Sequence, residues 1–210
     1  MTKVKPMQNI SLRIRHLLVR LITDRSGLAA VEFAIVIPLM MALFFGTVEF
    51  SNGVAIDRKV TLVARTLSDL VSQSTSATNT DFTNFTITAK AIMTPYSSTP
   101  LISTVSELYI DPTSLAARVQ WSKGSSPRAV SSTVSVPAAL KVAGTYLIYS
   151  EVSYNYVPAV GYVMMSSGIN LSDHTFTRPR QSLCVMYGTT LCTTLSVSYT
   201  HLTLPTKRIV

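Results

Sequence analysis

Charged side chains are scarce in this chain. Asp, Glu, Lys and Arg make up 13% of its 210 residues, whereas apolar residues make up 47% and the mean hydropathy is +0.34. The charged share is about half of the usual quarter. Disordered chains show the opposite balance, so this composition excludes ordinary disorder and favours a folded domain together with a membrane segment.

Net positive charge is nearly absent from the body of the chain, where basic and acidic side chains almost balance. The formal net charge is +8, of which residues 1–27 contribute +5 and residues 198–210 contribute +2. Residues 28–197 are therefore left with a net charge of +1. Because no stripe of Lys and Arg remains there to neutralise a run of phosphates, we expect no nucleic-acid partner.

Catalytic and metal-binding motifs are also missing. The chain has no G-x-S-x-G, H-E-x-x-H, Walker or dinucleotide-binding pattern, and its body between residues 28 and 197 contains one histidine, His174. The two cysteines have only that histidine as a plausible companion for a metal. We therefore expect no enzyme, no cofactor and no metal. A membrane-anchored hydrolase whose Ser or Asp residues follow no known pattern remains an alternative.

A long apolar run near the N-terminus indicates a membrane helix. Leu28–Phe50 is uncharged apart from Glu32 and Glu49 and would span about 33 Å as a helix, enough to cross a ~30 Å hydrocarbon core. The basic leader predicts that residues 1–27 stay in the cytoplasm and that the rest lies outside. The alternatives are a buried core helix and a signal peptide cleaved near Gly53-Val54-Ala55, although helical periodicity continues through that weak site.

Glu32 does not fit a simple anchor. It lies four residues inside the apolar run, where a carboxylate costs roughly 2.5–3.5 kcal/mol at mid-membrane. Either Glu32 reaches water at the interface, or it pairs with a positive group.

A short motif surrounds Glu32. Gly27 precedes it by five positions, Phe33 follows it directly, and the basic Arg25 lies before Gly27. This G-LAAV-EF pattern resembles the type III signal of type IV pilins and pseudopilins.

That resemblance implies a processing site. In those families a membrane prepilin peptidase cuts after the glycine, on the cytoplasmic side, which here is between Gly27 and Leu28. Leu28 would then hold a new α-amino group. The resemblance also implies that Glu32 and Phe33 serve assembly, the carboxylate being met by the N-terminal amine of a neighbouring subunit.

The likeness is longer than the signal. RSGLAAVEFAIVIPLMMALFFGTVEF is similar to the start of TadE-like proteins, minor pseudopilins of the tight-adherence (Flp) pilus machinery. Later pieces resemble the family in order: 91–96, 119–122, 151–158 and 178–180. A TadF-like subtype remains an alternative, whereas the large von Willebrand-type domain of TadG-like proteins is not expected in so short a chain.

The resemblance implies a structural component of a type IVb (Flp) pilus, processed by a prepilin peptidase. Its partners would be that peptidase, other pseudopilins, pilus-assembly membrane proteins and the lipid bilayer. It would lie in the bacterial inner membrane as a single-pass protein with a periplasmic head. Whether it enters the fibre or only primes it is left open. The alternative function is an uncleaved, membrane-anchored periplasmic protein that binds a ligand or an envelope component.

The predicted fold is α+β and pilin-like. A long N-terminal transmembrane and stalk helix is followed by a small helix and a small antiparallel β-sheet. The predicted domains are a leader (1–27), a membrane helix (28–50), a helix extension (51–72) and a periplasmic head (73–197). In the extension, one face is apolar at spacings of three and four. The charged residues Arg58, Lys59, Arg65 and Asp69 lie mostly on the other side and are interpreted as solvated.

Within the head, the pattern predicts short elements. Residues 72–80 are interpreted as a linker or loop, and Pro95 stops a following helix. The further elements are a helix (81–93), strands (101–110, 116–122 and 146–157), a long loop with a short strand (123–140) and edge strands (175–178 and 183–187). In the second strand, Ala117, Val119 and Trp121 are predicted to share a face. The Tyr-rich stripe of 146–157 suggests a sugar-binding surface or, more typically, a half-buried sheet face.

The two cysteines and the tail complete the predictions. Because the topology puts Cys184 and Cys192 outside the cytoplasm, we expect a disulfide between them, with two free buried thiols as the alternative. The segment 198–210 resembles read-through of sequencing-adapter DNA. We interpret it as non-native and assign it no function.

Overall fold

The computed structural model describes residues 15, 19, 20, 26–158, 168–188, 190 and 192. The predicted tail, most of the leader and residues 159–167 therefore lie outside the described residues. The chain divides into two units after Ser51.

The first unit contains the beginning of one long helix, α1, which runs continuously from Ser26 to Ser72. Between Leu28 and Phe50 every residue is exposed except Glu49, which is half-buried. Phe33 and Ile35 are 67% and 71% exposed. Apolar surface of this extent needs lipid or another protein to cover it. By length and composition, α1 qualifies as a membrane-spanning helix. The weak cleavage site at Gly53-Val54-Ala55 lies inside the helix.

The second unit begins with the rest of α1, whose apolar face forms the main core. The residues predicted to share this face are buried, apart from the half-buried Leu70: Ile56, Val60, Val63, Ala64, Leu67 and Val71. This confirms the predicted helix and its apolar side. Lys59 and Asp69 are not simply solvated, however. The ammonium of Lys59 donates to the carbonyls of Ile92 and Thr94, and Asp69 pairs with Arg180.

Among the described residues, a second helix and seven strands follow. The helix α2 is Asn79–Met93. The strands are β1 (Ser76–Ala77), β2 (Leu101–Ile110), β3 (Ala117–Gly124), β4 (Thr133–Val134), β5 (Tyr146–Tyr156), β6 (Ile169–Thr177) and β7 (Met186–Tyr187). Five of them form an antiparallel sheet in the order β4-β3-β2-β5-β6. This arrangement confirms the α+β fold class.

The polar stretch before α2 is more ordered than predicted. Thr78 and Asp81 form a reciprocal capping box, so α2 begins at Asn79 rather than Asp81. The interpretation of residues 72–80 as a linker was wrong in one respect, because β1 lies within it and pairs in parallel with β7. The 183–187 strand was likewise predicted at an edge of the sheet but belongs to this separate pair. Two-residue strands give no periodicity, which is why the sequence did not indicate the pairing.

Two predictions for the main sheet need correction. The strand β3, which was predicted at 116–122, has an extra residue, Gln120. Glu107 pairs with Trp121 whereas the next residue of β2, Leu108, pairs with Val119. This β-bulge turns Val119 and Trp121 to opposite faces, so the predicted shared face was wrong. The strand predicted at 175–178 begins earlier, at Ile169. In its first half Ile169 and Leu171 alternate with the polar Asn170 and Ser172, and Leu171 packs on the main core, so the alternation that indicates a strand was present and was missed.

The sheet has two buried faces. The inner face packs on α1 and α2 and includes Trp121, Ile148, Val152 and Tyr154. The outer face has a smaller cluster that includes Leu108, Val119, Leu147 and Tyr149, packed under Val136. The Tyr-rich stripe of β5 is thus mainly a buried sheet face, as the more typical interpretation predicted.

Candidate functional site

The predicted processing bond lies in the first turn of α1. Gly27 and Leu28 follow directly after Ser26, where the helix begins. Among the described residues, a Cβ built on Gly27 would meet no atom within 4 Å, and Leu28 is 61% exposed. The first backbone N–H groups of a helix lack partners within the helix.

Glu32 and Phe33 lie one turn further along the same helix. Glu32 is four residues after Leu28, which places the two residues on the same side of successive turns. Both Glu32 and Phe33 are exposed, and among the described residues no cation forms an ion pair with Glu32. The structure thus brings the four predicted processing and assembly residues together on two turns of an exposed apolar helix.

The two cysteines lie in the second unit, where the structure joins Cys184 and Cys192 by a disulfide. Cys184 is buried, and its carbonyl accepts a hydrogen bond from the hydroxyl of Ser182 at 2.6 Å. Between the cysteines, the N–H of Thr190 donates to the carbonyl of Tyr187 at 3.0 Å and closes a turn.

The segment after Cys184 is held by two buried side chains that sequence reasoning missed. The N–H of Val185 donates to Oε1 of Glu107 at 2.6 Å, and Nε1 of Trp121 donates to the carbonyl of Val185 at 2.8 Å. Glu107 is 2% exposed. Burial raises the pKa of Glu107 to about 7, although the hydrogen bonds from Val185 and Trp121 favour the ionised form. One signal for its burial was present in the sequence. Glu107 lies two positions after Val105 in a predicted strand, and side chains two positions apart lie on the same side of a strand.

Aromatic packing extends this attachment to α2. The ring of Tyr187 lies 5.8 Å from the rings of both Phe82 and Trp121, and its hydroxyl donates to Asn79. The N–H of Met186 also donates to the carbonyl of Thr75. We call residues 184–187 the clasp, because they connect the β1 segment, α2 and the sheet.

Metal coordination has no support in the described part of the chain. No group of three or more His, Cys, Asp or Glu side chains there is arranged to hold an ion. The cysteine sulfurs are bonded to each other. His174 packs instead against the rings of Tyr149 and Phe176, at 5.9 and 5.7 Å.

Comparison with known proteins gives one match. Residues 27–67 match the family described as TadE-like protein. The match begins at Gly27 and covers 41 of the 210 residues, all of them in α1. It confirms the resemblance in this segment, whereas the later pieces of likeness lie outside the matched range. Comparison with curated proteins and with solved structures gives no match.

Proposed function

We propose that this chain, whose first helix is TadE-like, is a minor pseudopilin of a tight-adherence pilus system. In this role it is a structural component, and it is the substrate of a prepilin peptidase rather than an enzyme. The peptidase cuts between Gly27 and Leu28, and the new amine and the carboxylate of Glu32 serve docking between subunits. The observation that carries the proposal is the family match, which starts at Gly27 itself.

The difference in burial between the two parts of α1 supports this role. Within the chain itself, the first part of α1 leaves large apolar side chains exposed on all sides. This is typical of a helix that lipid and neighbouring helices surround. Its second part buries one face on the sheet of the second unit. The matched residues 27–67 include both parts, so the likeness concerns the membrane helix and most of the helix extension.

Glu32 supports the assembly step. A carboxylate in an apolar helix costs several kcal/mol less when a cation meets it than when it stays unpaired. Since no described cation does so within the chain, a neighbouring subunit is a suitable source. The basic leader favours a cytoplasmic N-terminus, an inner-membrane helix and a periplasmic head.

The first test is the N-terminus of the membrane-bound protein, expressed with and without a cognate prepilin peptidase. We expect a start at Leu28 only when the peptidase is present, and an unprocessed chain for Gly27→Trp. The matched control is Gly46→Trp, because Gly46 lies in the same exposed helix and its added side chain also meets no atom within 4 Å. It should be processed normally.

The outcomes separate the two functions. An intact N-terminus beside an active peptidase contradicts the proposal and favours the uncleaved, anchored periplasmic protein. Processing that also fails in Gly46→Trp would mean that bulk anywhere in the helix prevents membrane insertion. If processing is confirmed, Glu32→Gln should still be cut, but it should no longer co-purify with the other pseudopilins.

A further inference from the structure

The outer face of the sheet has a groove that the proposed function does not use. Two cavities of about 520 and 490 Å³ lie along it, and Arg128, Tyr149 and His174 line both. We call the two cavities together the outer groove. Each volume is within the ~300–1,000 Å³ typical of small-molecule sites. The whole groove belongs to the second unit and lies on the face away from α1.

Arg128 is held in place at the centre of the groove. Its backbone N–H donates to the hydroxyl of Ser122 at 2.9 Å, and that hydroxyl also accepts from Ser106 at 2.9 Å. Its guanidinium donates twice to Glu151, from Nε at 2.5 Å and from Nη2 at 2.6 Å. Both side chains remain partly exposed, at 38% and 29%. The residues that line the groove thus include a planar, bidentate ion pair that forms without a ligand.

Contacts within the groove determine the ionisation of Glu151 and Tyr149. Burial of the Glu151 carboxylate opposes its charge, but the hydrogen bonds and the charge of Arg128 hold its pKa below the usual value. Burial, together with the charge of Glu151, raises the pKa of Tyr149 to about 12. At physiological pH the groove therefore contains an ionised pair, Arg128 and Glu151, and a neutral phenol, with Asp173 and His174 beside them.

Hydroxyl groups surround this pair. Four of them line the larger cavity, together with Asp173: Thr104, Ser126, Ser153 and Ser172. Hydroxyls both donate and accept hydrogen bonds, guanidinium groups donate, and carboxylates accept. We propose that the outer groove binds a neutral saccharide, whose adjacent hydroxyls are also both donors and acceptors.

The charges and the backbone argue against other ligands. An anion would compete with Glu151 for Arg128 and would face Asp173 as well. One recurring way to bind an extended peptide is through main-chain hydrogen bonds at a sheet edge. The groove reaches the edge strands β4 and β6, but over its central strand, β5, the backbone is already paired with β2 on one side and β6 on the other. Over β5 recognition comes from side chains, which suits a saccharide.

Ligand-observed saturation-transfer NMR tests this proposal with the full chain in dodecylphosphocholine micelles, which carry no sugar. The probes are chitotetraose, cellotetraose and maltotetraose, with tetragalacturonate as the anionic probe and tetra-alanine as the peptide probe. We expect at least one neutral tetrasaccharide to bind with a Kd in the millimolar range, since the groove is open to solvent. Glu151→Gln and Arg128→Gln should each weaken that binding about five-fold or more.

The control is Lys90→Gln, an exposed charge change on α2 that should leave binding unchanged. Loss of an exposed ion pair changes stability little, so both groove variants should stay folded, as checked by the emission of Trp121. The proposal is overturned if no neutral tetrasaccharide binds at ~20 mM. It is equally overturned if tetragalacturonate or tetra-alanine binds more tightly, or if both groove variants bind like the wild type. None of these readouts depends on N-terminal processing.

Discussion

Glu107 and Trp121 lie directly opposite each other on β2 and β3, and both bind the backbone of the same residue, Val185. A buried backbone N–H and C=O must find partners, and here two side chains supply them in place of a strand. The bulge at Gln120 makes this arrangement possible, because it turns Trp121 to the inner face beside Glu107. The attachment of the clasp thus depends on an irregularity in the sheet.

The first prediction concerns the pH dependence of this pair. The pKa of Glu107 rises from about 4.5 in the unfolded chain to about 7 in the fold, so the folded state holds the proton more tightly. The free energy of unfolding should therefore fall as the pH rises from about 4.5 to 7, by up to about 3 kcal/mol, and level off above that. Guanidinium unfolding in micelles, followed by the single tryptophan, measures it at pH 5 and pH 8.

Glu107→Gln is the matched variant for that measurement. Its amide oxygen can still accept from Val185, but it does not titrate, so the unfolding free energy should change less between pH 5 and pH 8 than in the wild type. The difference between the two proteins isolates Glu107 from other titrating groups. Equal pH dependence in both would show that the buried carboxylate is not responsible.

The sequence predicted what repeats regularly and missed what depends on distant partners. The apolar face from Ile56 to Val71 recurs over four turns, so α1 was predicted almost to the residue. By contrast, Gln120 looks like one more polar position in an alternating strand, and only the register with Glu107 and Leu108 reveals the bulge. Alternation is informative only while the pairing stays regular.

The same reasoning applies to the candidate sites. Gly27 and Glu32 are close in sequence, so their relation on one helix could be predicted from spacing alone. Glu107 and Val185 are 78 residues apart, and Arg128 and Glu151 are 23 apart. No local pattern links such residues, because the sheet brings them together only after its strands have paired. The clasp and the outer groove were therefore not predictable from the sequence.

The second prediction concerns the disulfide. Cross-linking a loop as short as Cys184 to Cys192 should stabilise the head by roughly 2–3 kcal/mol, since it restricts the unfolded chain. We expect the double variant Cys184→Ala, Cys192→Ala to lower the unfolding free energy by that amount at pH 5. Reduced wild-type protein should behave in the same way. An unchanged denaturation midpoint in both cases would argue that the loop contributes nothing to stability.

The third prediction concerns Lys59, which binds the C-terminal end of α2. Its ammonium donates to the carbonyls of Ile92 and Thr94 at 2.7 and 2.8 Å, where the helix dipole also favours a cation. Lys59→Met should therefore cost about 1.5 kcal/mol in unfolding free energy. Arg58→Met is the matched control, because Arg58 is exposed, and it should change stability by less than about 0.5 kcal/mol. Similar losses in both variants would contradict the role of Lys59.

The fourth prediction compares two glycines with opposite surroundings. Gly53 lies inside α1, and an added Cβ would meet Tyr156 at an ordinary distance of 3.6 Å. Gly53→Ala should therefore stabilise the fold by up to about 1 kcal/mol through helix propensity.

Gly124 has a φ of +138°, and a Cβ there would lie 2.2 Å from the carbonyl oxygen of Ser103. Gly124→Ala should cost at least about 3 kcal/mol, since strain and a backbone clash add together. Guanidinium unfolding of both variants tests the pair. A loss of stability in Gly53→Ala would mean that Tyr156 packs closer to α1 than the structure shows, and a neutral Gly124→Ala would mean that the end of β3 has another conformation.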